Sequence, residues 1–540
     1  MKKIKKAMLL ASADTVATLL EPAECGDEIR IFGDVNEDQI EIRSIDSIPR
    51  GHKIALQDFT PGEAIIKYGQ IIGVASTFIQ RGAHVHVHNE DSQRGRGNLR
   101  SEKTDFSRSH TISDEAGSMD RLVTSGVRPG CSAAAADGSD TSGISENRSD
   151  RLPPYPLMLY KRADGRYGVR NRIAIIPSVA CVNHIAEKIA SEIPIADAYT
   201  HPYGCDQLGG DLDLSFRCLA AMGTHPNVGA VLVIGLGCEE ILPHELYEEI
   251  HSVNPLSDVL VMQEVGGTTE MIRRGCAVCH SFEQKLQEQK RVAADSSALI
   301  IGLECGGSDF TSGIASNPAV GNFTERICRR GGKAVFGETT ELMGSENILK
   351  THIERDEVYR FITEKINRIE KTASDLHVDL RGTQPSPGNI EGGLSTIEEK
   401  SLGGVMKIGR EKIQDGIPFG SRAVASGVTF VDTPGNDLAC SLGLAAAGAQ
   451  IIIFTTGRGT PMGFSAAPVI KVTANEWISN LMAENFDLDL SDIVSGTMSV
   501  SDGGRLLFDR VMRTASGEET ASERLGHREF SLYRISPILT

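Results

Sequence analysis

Residues 297–321 read SALIIGLECGGSDFTSGIASNPAVG, and the prediction for the whole chain starts from this stretch. Its apolar run is typical of a strand that is buried on both faces, as in a parallel sheet. The run ends abruptly at Glu304 and Cys305, and the Gly-Gly pair that follows lets the backbone turn tightly or approach a ligand. The stretch therefore predicts a buried strand that ends in a polar loop. A tight turn around an inert, buried cysteine is the alternative, because free cysteines often behave as small apolar residues.

The same order of strand, cysteine and helix-like stretch occurs three more times along the chain. Cys181 follows the run IAIIP, Cys205 follows a Tyr-Gly pair, and Cys238 follows VLVIGLG. Ligands of open α/β sheets bind outside the carboxyl ends of the strands. We therefore predict that these three cysteines and Cys305 meet at strand ends, where thiolates can bind a metal ion.

Polar residues at other strand ends predict a site for an anionic substrate. Arg458 and Asn436 each follow a predicted strand, and Arg170 and Asn171 directly precede one. Arginine binds a carboxylate through two parallel hydrogen bonds, so Arg170 and Arg458 are candidate anchors, with the polar side chains of Asn171, Ser308 and Asn436 beside them. The alternative for Arg170 is a solvated arginine on a surface turn.

Residues 1–92 are predicted to form a small β-rich module, because short alternating strands are separated by glycine and proline. His84, His86 and His88 alternate along one predicted strand, so their side chains share one face. Three imidazoles on one face are able to bind a divalent metal, with His86 in the middle. The alternative is a solvent-facing histidine row on an edge strand. His52 lies in a nearby turn of the same module.

Composition limits the classes of partner and the domain plan. The formal net charge of −17 argues against nucleic acid or an anionic membrane as the main partner, and no apolar run is long enough to span a bilayer. Eleven cysteines in a 540-residue chain indicate a reducing compartment, so we predict a cytoplasmic protein. Residues 93–152 are predicted to be a disordered linker or insertion, because they are rich in serine and glycine. Two domains of a parallel-sheet α/β body follow, at 153–295 and 296–540.

Several long motifs, in order along the chain, resemble the altronate/galactarate (hexarate) dehydratase family. They are YKRADGRYGVRN, HPYGCDQLGGD, VIGLGCEE, ECGGSDFTSGIASNPAVG, PSPGNIEGG and FTTGRGTPMG. The resemblance covers nearly the whole chain except 93–150, and AHVHVHN looks more like the altronate branch. It implies a SAF-like first module and loss of water from a small-molecule sugar acid, D-altronate, to give a 2-keto-3-deoxy acid. Galactarate dehydratase and sulfolactate sulfo-lyase activity on the same scaffold are the alternatives.

The resemblance also implies assistance by Fe²⁺ or Mn²⁺, and the cysteines leave an iron–sulfur cluster open. Dehydration requires a base for the proton beside the carboxylate and help for the departing hydroxide. We predict Asp309, His52 and Glu304 as the candidate acid–base groups, without choosing among them. A metal- or redox-sensing binding protein is the alternative from another class, and the oligomeric state, a homo-oligomer included, stays open.

Overall fold

The computed structural model describes residues 4–33, 41–95, 151–207 and 209–535. The predicted insertion at 93–152, including Cys131, therefore lies largely outside the described residues. Its first three residues do not belong to a linker, because the guanidinium of Arg94 forms ion pairs of 2.7 Å with both Glu346 and Glu370. The first module therefore stays in contact with the C-terminal domain up to the end of its described residues.

The first module is β-rich, as predicted. Its strands are β1 Lys5–Leu9, β2 Val16–Leu19, β3 Glu28–Gly33, β4 Glu41–Arg43, β5 Lys53–Ala55, β6 Ala64–Lys67, β7 Gln70–Ala75, β8 His84–Val85 and β9 Glu90–Asp91. One sheet has the order β4-β3-β1-β2-β5-β8, and a second has the order β6-β7-β9. Most neighbouring strands are antiparallel, and the tightest connection is the two-residue turn between β6 and β7.

The second domain is built on a parallel sheet with the order β13-β12-β14-β15. Its strands are β10 Pro156–Lys161, β11 Tyr167–Gly168, β12 Arg172–Pro177, β13 Ala196–Ala198, β14 Val228–Gly235, β15 Ser257–Val261 and β16 Val292–Asp295. Its helices are Asn183–Ser191, Gly209–Gly223, Pro243–His251, Met262–Val265 and Thr268–Glu288. Every residue of β14 is buried, because helices cover both faces of the sheet.

The C-terminal domain contains a larger parallel sheet with the order β19-β20-β18-β17-β21-β22-β23. Its strands are β17 Ile300–Cys305, β18 Lys333–Phe336, β19 Ile413–Ile417, β20 Gly427–Val431, β21 Ile451–Thr455, β22 Val469–Thr473 and β23 Leu488–Asp489. Its helices are Asn317–Arg329, Glu346–Thr351, Asp356–Asp375, Pro387–Glu391, Ile397–Val405, Asp437–Ala446, Glu476–Leu481, Ser491–Ser495, Val500–Ala515 and Ala521–Arg524. The prediction of a buried strand in 297–321 is confirmed, because β17 lies between β18 and β21 in the middle of this sheet.

The first module packs directly on the C-terminal domain. Both share one apolar core, which includes Phe59 and Tyr68 of the module and Ile314 of the domain. A Cβ atom on Gly393 would lie 2.4 Å from the carbonyl oxygen of Gly51, so the two backbones touch where neither residue has a side chain. Within the described part of the chain, no helix combines the length and apolar character needed to cross a membrane.

Four charged side chains are buried where the module meets the domain. The carboxylate of Glu399 accepts hydrogen bonds from the ammonium groups of Lys53, at 2.8 Å, and Lys67, at 2.7 Å. The Nζ atom of Lys53 also lies 3.3 Å from the carboxylate of Glu90. The side chains of these four residues are at most 1% exposed. This ionic network fixes the module in one orientation.

Candidate active site

The loop after β17 collects polar groups at the carboxyl end of the C-terminal sheet. The Sγ atom of Cys305 lies 3.0 Å from Ser308 Oγ, and the amide of Asn317 donates to the same sulfur at 3.5 Å. The backbone N–H of Cys305 donates to Glu338, which follows the neighbouring strand β18. Cys305 and Ser308 are both buried. The strand ends therefore converge as the sequence predicts.

Two acidic and two basic side chains form a buried charged cluster at these strand ends, which is called the charged pocket below. Lys407 forms an ion pair with Glu338, and Lys400 forms one with Glu341 at 2.7 Å. Glu338 adopts a left-handed backbone conformation, with a φ of 66°. That conformation is uncommon for a residue with a side chain, and such strained positions cluster at active sites. The pocket thus holds a carboxylate beside a cation in a fixed orientation.

Burial places the titration of two pocket residues near neutrality. Burial and the adjacent Glu341 carboxylate raise the pKa of Glu338 to about 7, even though Lys407 acts in the opposite direction. Burial lowers the pKa of Lys471 to about 8. Groups that titrate close to the working pH are suited to proton transfer. Glu338 and Lys471 are therefore the two groups of this region that are best tuned for proton transfer.

Glu304, the predicted acid–base group at the end of β17, is buried on the same sheet. One carboxyl oxygen accepts a hydrogen bond of 2.6 Å from Ser441 Oγ, whereas Oε1 has no partner among the described residues. Burial, with the neighbouring Glu338 and Asp437, raises the pKa of Glu304 well above its ordinary value. Burial and its acidic neighbours therefore favour the neutral form of Glu304 unless a cation approaches it.

The structure does not support Asp309 as a catalytic group. Its Oδ1 atom accepts hydrogen bonds from the backbone and hydroxyl of Thr311 and from the backbone of Ser312, while Oδ2 accepts one from Asn475 at 2.8 Å. The side chain is buried and holds the turn that follows the loop. The sequence prediction failed because it could not show that protein donors occupy both oxygens.

The other polar residues predicted at this edge are placed at different depths. Arg458 is about one-third exposed and donates to Glu391 at 2.6 Å. Asn436 is exposed, and its side chain caps the helix Asp437–Ala446 by accepting from the N–H of Ala439. Arg458 is therefore the candidate cation for a substrate carboxylate, whereas Asn436 carries no charge and caps a helix.

Arg170 and Asn171 lie outside this pocket. The guanidinium of Arg170 pairs with Glu523 at 2.7 Å and donates to the carbonyl oxygens of Thr514 and Glu518. The amide of Asn171 donates to the carbonyl of Leu286, and its oxygen accepts from Arg162. The partners of Arg170 belong to the C-terminal domain and those of Asn171 to the second domain, so protein groups already occupy both side chains.

Variants of two arginines distinguish substrate binding from a structural role. We expect Arg458→Ala to raise KM by about tenfold or more, since a hydrogen bond to a charged group contributes about 1.5–3 kcal/mol and each 1.4 kcal/mol is tenfold. Arg170→Ala is expected to leave KM within about twofold and to lower the free energy of unfolding by about 2 kcal/mol, because it breaks charge-assisted hydrogen bonds. Steady-state kinetics and denaturant titration of both variants check this. An unchanged KM in Arg458→Ala would remove it as the anchor.

The predicted histidine row becomes a compact cluster. The strand ends at Val85, so the alternation stops there, yet Nδ1 of His52 lies 2.9 Å from Nε2 of His84. The ring centres of His52 and His86 are 4.3 Å apart, and those of His84 and His88 are 5.0 Å apart. His52 and His86 are buried, so the alternative of a fully solvent-facing row is wrong. Burial lowers the pKa of His84 to about 4 and that of His86 to about 3, which keeps both imidazoles neutral.

A cleft of about 340 Å³ lies beside this cluster, between the first module and the C-terminal domain. Its lining includes Val87 and Glu90 from the module and Ile390 and Ser395 from the domain. Its size is in the range of small-molecule sites. The guanidinium of Arg381 on its wall is already paired with Asp91 and Asp379.

The four candidate cysteines do not form one site. Cys305 is buried in the C-terminal domain, whereas Cys181, Cys205 and Cys238 follow strands of the second-domain sheet. Each of these thiols follows a strand, as predicted from the sequence. The strands, however, belong to two separate sheets. Serine at Cys305 is therefore a test of a different site from serine at the other three.

The donor chemistry of the charged pocket fits a divalent cation. Within residues 4–33, 41–95, 151–207 and 209–535, no three His, Cys, Asp or Glu side chains already form a group that would hold one. However, Oε1 of Glu304 and Oε2 of Glu341 are buried without a hydrogen-bond partner in that same part of the chain. Unpartnered carboxylate oxygens are the ligands that hard divalent ions prefer. His86 is a further candidate, because its buried Nδ1 likewise lacks a partner there.

Sequence reasoning missed the central residues of the pocket. Glu338 and Glu341 follow β18 in KAVFGETTEL, which shows the same change from apolar run to acidic loop as β17 does. This change of pattern could therefore have been recognised from the sequence. Lys400 and Lys407, in contrast, lie on and just after a helix whose pattern looks ordinary, and only the packing brings them to the carboxylates.

Comparison with known proteins adds the following matches. The family models for the altronate/galactarate dehydratase SAF domain, the D-galactarate dehydratase/altronate hydrolase second domain and the D-galactarate/altronate dehydratase C-terminal domain match residues 5–93, 159–287 and 296–538. The altronate dehydratase of Bacillus subtilis (strain 168) is 32% identical over 98% of this chain and 99% of its own. The (2R)-sulfolactate sulfo-lyase subunit beta of Chromohalobacter salexigens is 36% identical over 70% of this chain and 96% of its own. The galactarate dehydratase (L-threo-forming) of Escherichia coli (strain K12) is 28% identical over 92% and 91%.

Proposed function

Since this chain belongs to the D-galactarate/altronate dehydratase family of hydro-lyases, we propose that it removes water from D-altronate and releases a 2-keto-3-deoxy sugar acid. The observation that carries the proposal is the buried pocket at the strand ends, in which Glu338 titrates near neutrality beside Lys407. A metal- or redox-sensing protein would need ligands but no tuned base, so the enzyme explains the pocket better.

The reaction breaks one C–H and one C–O bond. A base takes the proton from C2, beside the carboxylate, and the hydroxyl on C3 leaves with a proton as water. The resulting enol loses its O–H proton and gains a proton at C3, and so becomes the 2-keto acid. Of the pocket residues, Glu338 is the proposed base, because its ionised and protonated forms are both populated near pH 7.

Lys471 and Arg458 supply the remaining functions. Lys471 is buried with its ammonium unpaired among the described residues, 3.6 Å from the ring centre of Phe454, and its lowered pKa suits it to protonate the leaving hydroxide. Arg458 holds the substrate carboxylate. Lys400 and Lys407 keep the pocket electrically balanced and offset the charge that develops beside the carboxylate.

We further propose that Fe²⁺ or Mn²⁺ assists, held by Glu304, Glu341 and Asp437. Such an ion, when bound, stabilises negative charge on the substrate and polarises the leaving hydroxyl. The unpartnered oxygens of Glu304 and Glu341 support this placement. The first module contributes the neutral histidines and closes the cleft beside them.

Anaerobic turnover of D-altronate tests the function. The purified protein, supplied with ferrous iron, is expected to convert D-altronate to a 2-keto-3-deoxy acid in equal molar amount. Galactarate and (2R)-sulfolactate are assayed in parallel, because relatives of both kinds match the chain. Sulfite release from sulfolactate with no altronate turnover would reject the proposed substrate and favour a sulfo-lyase.

Activity is expected to require the added metal. Exhaustive chelation should remove turnover, and Fe²⁺ or Mn²⁺ should restore it, because unassisted side chains stabilise the developing charge poorly. Elemental analysis before and after chelation accompanies the rate measurements, and a chelated sample that receives Mg²⁺ serves as the control. Full activity in metal-free protein would contradict the expectation.

We also propose that the protein works in the cytoplasm. The described cysteines are all free, which suits a reducing compartment. The formal net charge of −17 supports the absence of nucleic-acid and anionic-membrane partners. A small-molecule sugar acid is then the main ligand.

A further inference from the structure

The turn at residues 49–52 places Arg50 of the first module against the C-terminal domain. The N–H of Gly51 donates to the carbonyl of Leu19 at 2.7 Å, and the N–H of Leu19 donates to the carbonyl of His52 at 2.9 Å. Both bonds connect the turn to β2. Gly51 has a φ of 85°, in the left-handed region that favours glycine. The turn therefore presents Arg50 from a fixed backbone.

The side chain of Arg50 lies over an aromatic ring of the loop after β17. Its Cζ atom is 5.6 Å from the ring centre of Phe310, within the range of a cation–π contact. A Cβ atom on Gly51 would lie 2.3 Å from Cδ1 of that ring, so the turn approaches it closely because Gly51 has no side chain. Phe310 is buried, and its N–H donates to the carbonyl of Gly392 at 2.9 Å. The ring is thus a fixed support for the guanidinium.

Arg50 forms no ion pair or hydrogen bond through its side chain with the residues that the structure describes. Its Nε atom is buried and has no acceptor there. Arg94, Arg170 and Arg458, in contrast, each pair with a glutamate. A buried donor of a charged group that lacks an acceptor costs free energy. Arg50 is therefore in a position that an anionic ligand would stabilise.

The other basic groups of this turn are already used or neutral. The ammonium group of Lys53 donates to Glu399 at 2.8 Å. Nδ1 of His52 lies 2.9 Å from Nε2 of His84, and burial lowers the pKa of both imidazoles, to about 4 for His84. Of the basic side chains at residues 50–53, Arg50 is therefore the one whose charge no described residue balances.

One short helix, Pro387–Glu391, connects this turn to Arg458. The ring of His52 forms a hydrogen bond with the backbone of the last residue of the helix, whose carboxylate accepts from Arg458 at 2.6 Å. The backbone N–H of Arg458 also donates to the carbonyl of Gly307, in the loop after β17. Arg50 and Arg458 therefore lie beside the same loop, at the edge of the sheet where α/β folds bind ligands.

We propose that Arg50 binds a carboxylate group of a small organic acid where the first module meets the C-terminal domain. A guanidinium donates two parallel hydrogen bonds to a carboxylate, and a bond from Nε supplies the acceptor that this atom lacks. Arg50 is half-buried, so its side chain keeps some contact with solvent. The formal net charge of −17 repels anions from the protein as a whole, which makes this unbalanced guanidinium a local exception.

The identity of the acid rests on the proposed function, in which the ligand is the sugar acid. Arg50 then gives the first module a direct contact with the substrate. It differs from Arg458 in that no glutamate competes with the ligand for its guanidinium. The ionic network around Glu399 contributes indirectly, because it fixes the module that carries Arg50.

Isothermal titration calorimetry with the full-length, chelated protein tests the site without turnover. We expect Arg50→Gln to bind D-altronate about tenfold or more weakly than wild type, because a charge-assisted pair is lost. Arg50→Lys should give an intermediate affinity, since lysine keeps the charge but not the two parallel bonds. Without ligand, the free energy of unfolding of Arg50→Gln should not fall below that of wild type, whereas a purely structural arginine would lower it.

Arg43→Gln is the matched control, because it removes an exposed arginine of the same module and should leave affinity within about twofold. Galactarate and inorganic phosphate are titrated in parallel. Binding of either sugar acid that depends on Arg50, without turnover, would support the site and reject the proposed function. Turnover of D-altronate with equal affinity in wild type and Arg50→Gln would reject the site alone. Binding of phosphate but of neither sugar acid, or no binding by wild type, would also overturn the proposal.

Discussion

Replacing Glu338 by glutamine is expected to lower kcat by about 10²- to 10⁴-fold, the usual contribution of a positioned general base. Glutamine has the same shape and keeps an oxygen that can accept from Lys407 and from the N–H of Cys305. The fold should therefore survive, while the group that accepts the substrate proton is lost. KM is expected to change little, because Arg458 still anchors the substrate.

The pH profile gives the same residue a second readout. Because the pKa of Glu338 is raised to about 7, its basic form is lost as pH falls through that value, so wild-type kcat/KM should rise between about pH 6 and pH 8. The residual rate of Glu338→Gln should lack this rise. Glu325→Gln is the matched control, because Glu325 is also buried but accepts from the backbone of Arg410 outside the pocket. A wild-type rate and profile in Glu338→Gln would exclude it as the base.

Replacing Glu399 by glutamine is expected to lower the free energy of unfolding by about 3–5 kcal/mol, as is typical when one partner of a buried ion pair is removed. The change leaves the ammonium groups of Lys53 and Lys67 buried with only Glu90 to balance them. Denaturant titration measures the loss. Hydrogen exchange should show it first in β6 and β7, because the module loses its attachment there.

A surface carboxylate between two arginines provides the control for this change. Glu270 pairs with Arg273 and Arg274 at the surface, where its side chain is only half-buried, so Glu270→Gln should leave stability unchanged within error. Burial alone would raise the pKa of Glu399. The ammonium groups of Lys53 and Lys67 nevertheless hold this pKa well below its ordinary value. Its stabilising effect is thus present above about pH 4.5 and is lost as pH falls further. Equal stability of wild type and Glu399→Gln at pH 7 would contradict the assigned role of the network.

Local patterns were sufficient to predict the strands and the chemistry at their ends. The run before Cys305 became the central strand of a parallel sheet, and each thiol follows a strand as expected. Such patterns depend on neighbours in the chain, since burial on both faces requires consecutive apolar residues. They contain no information on which sheet a strand joins, so Cys305 and the second-domain cysteines were wrongly grouped.

The charged pocket needed long-range information that periodicity does not hold. Glu338 and Lys407 are far apart in sequence, and Lys471 lies inside a strand where a lysine usually indicates a solvent-facing position. For Arg170 the sequence indicated a site that the contacts do not support. A motif rich in arginine looks like an anion site until the partners of its arginines, among them Glu523, are known. Contacts between residues that are far apart in sequence decide both cases.

The ionic network around Glu399 has a consequence for the order of assembly. The four charged side chains are hydrated before the two parts meet, whereas the apolar residues of the shared core stay exposed until docking. Docking then has to strip water from four charged side chains at once, which succeeds only when all of them find their partners in register. We therefore expect docking of the module on the C-terminal domain to be a late and cooperative step of folding.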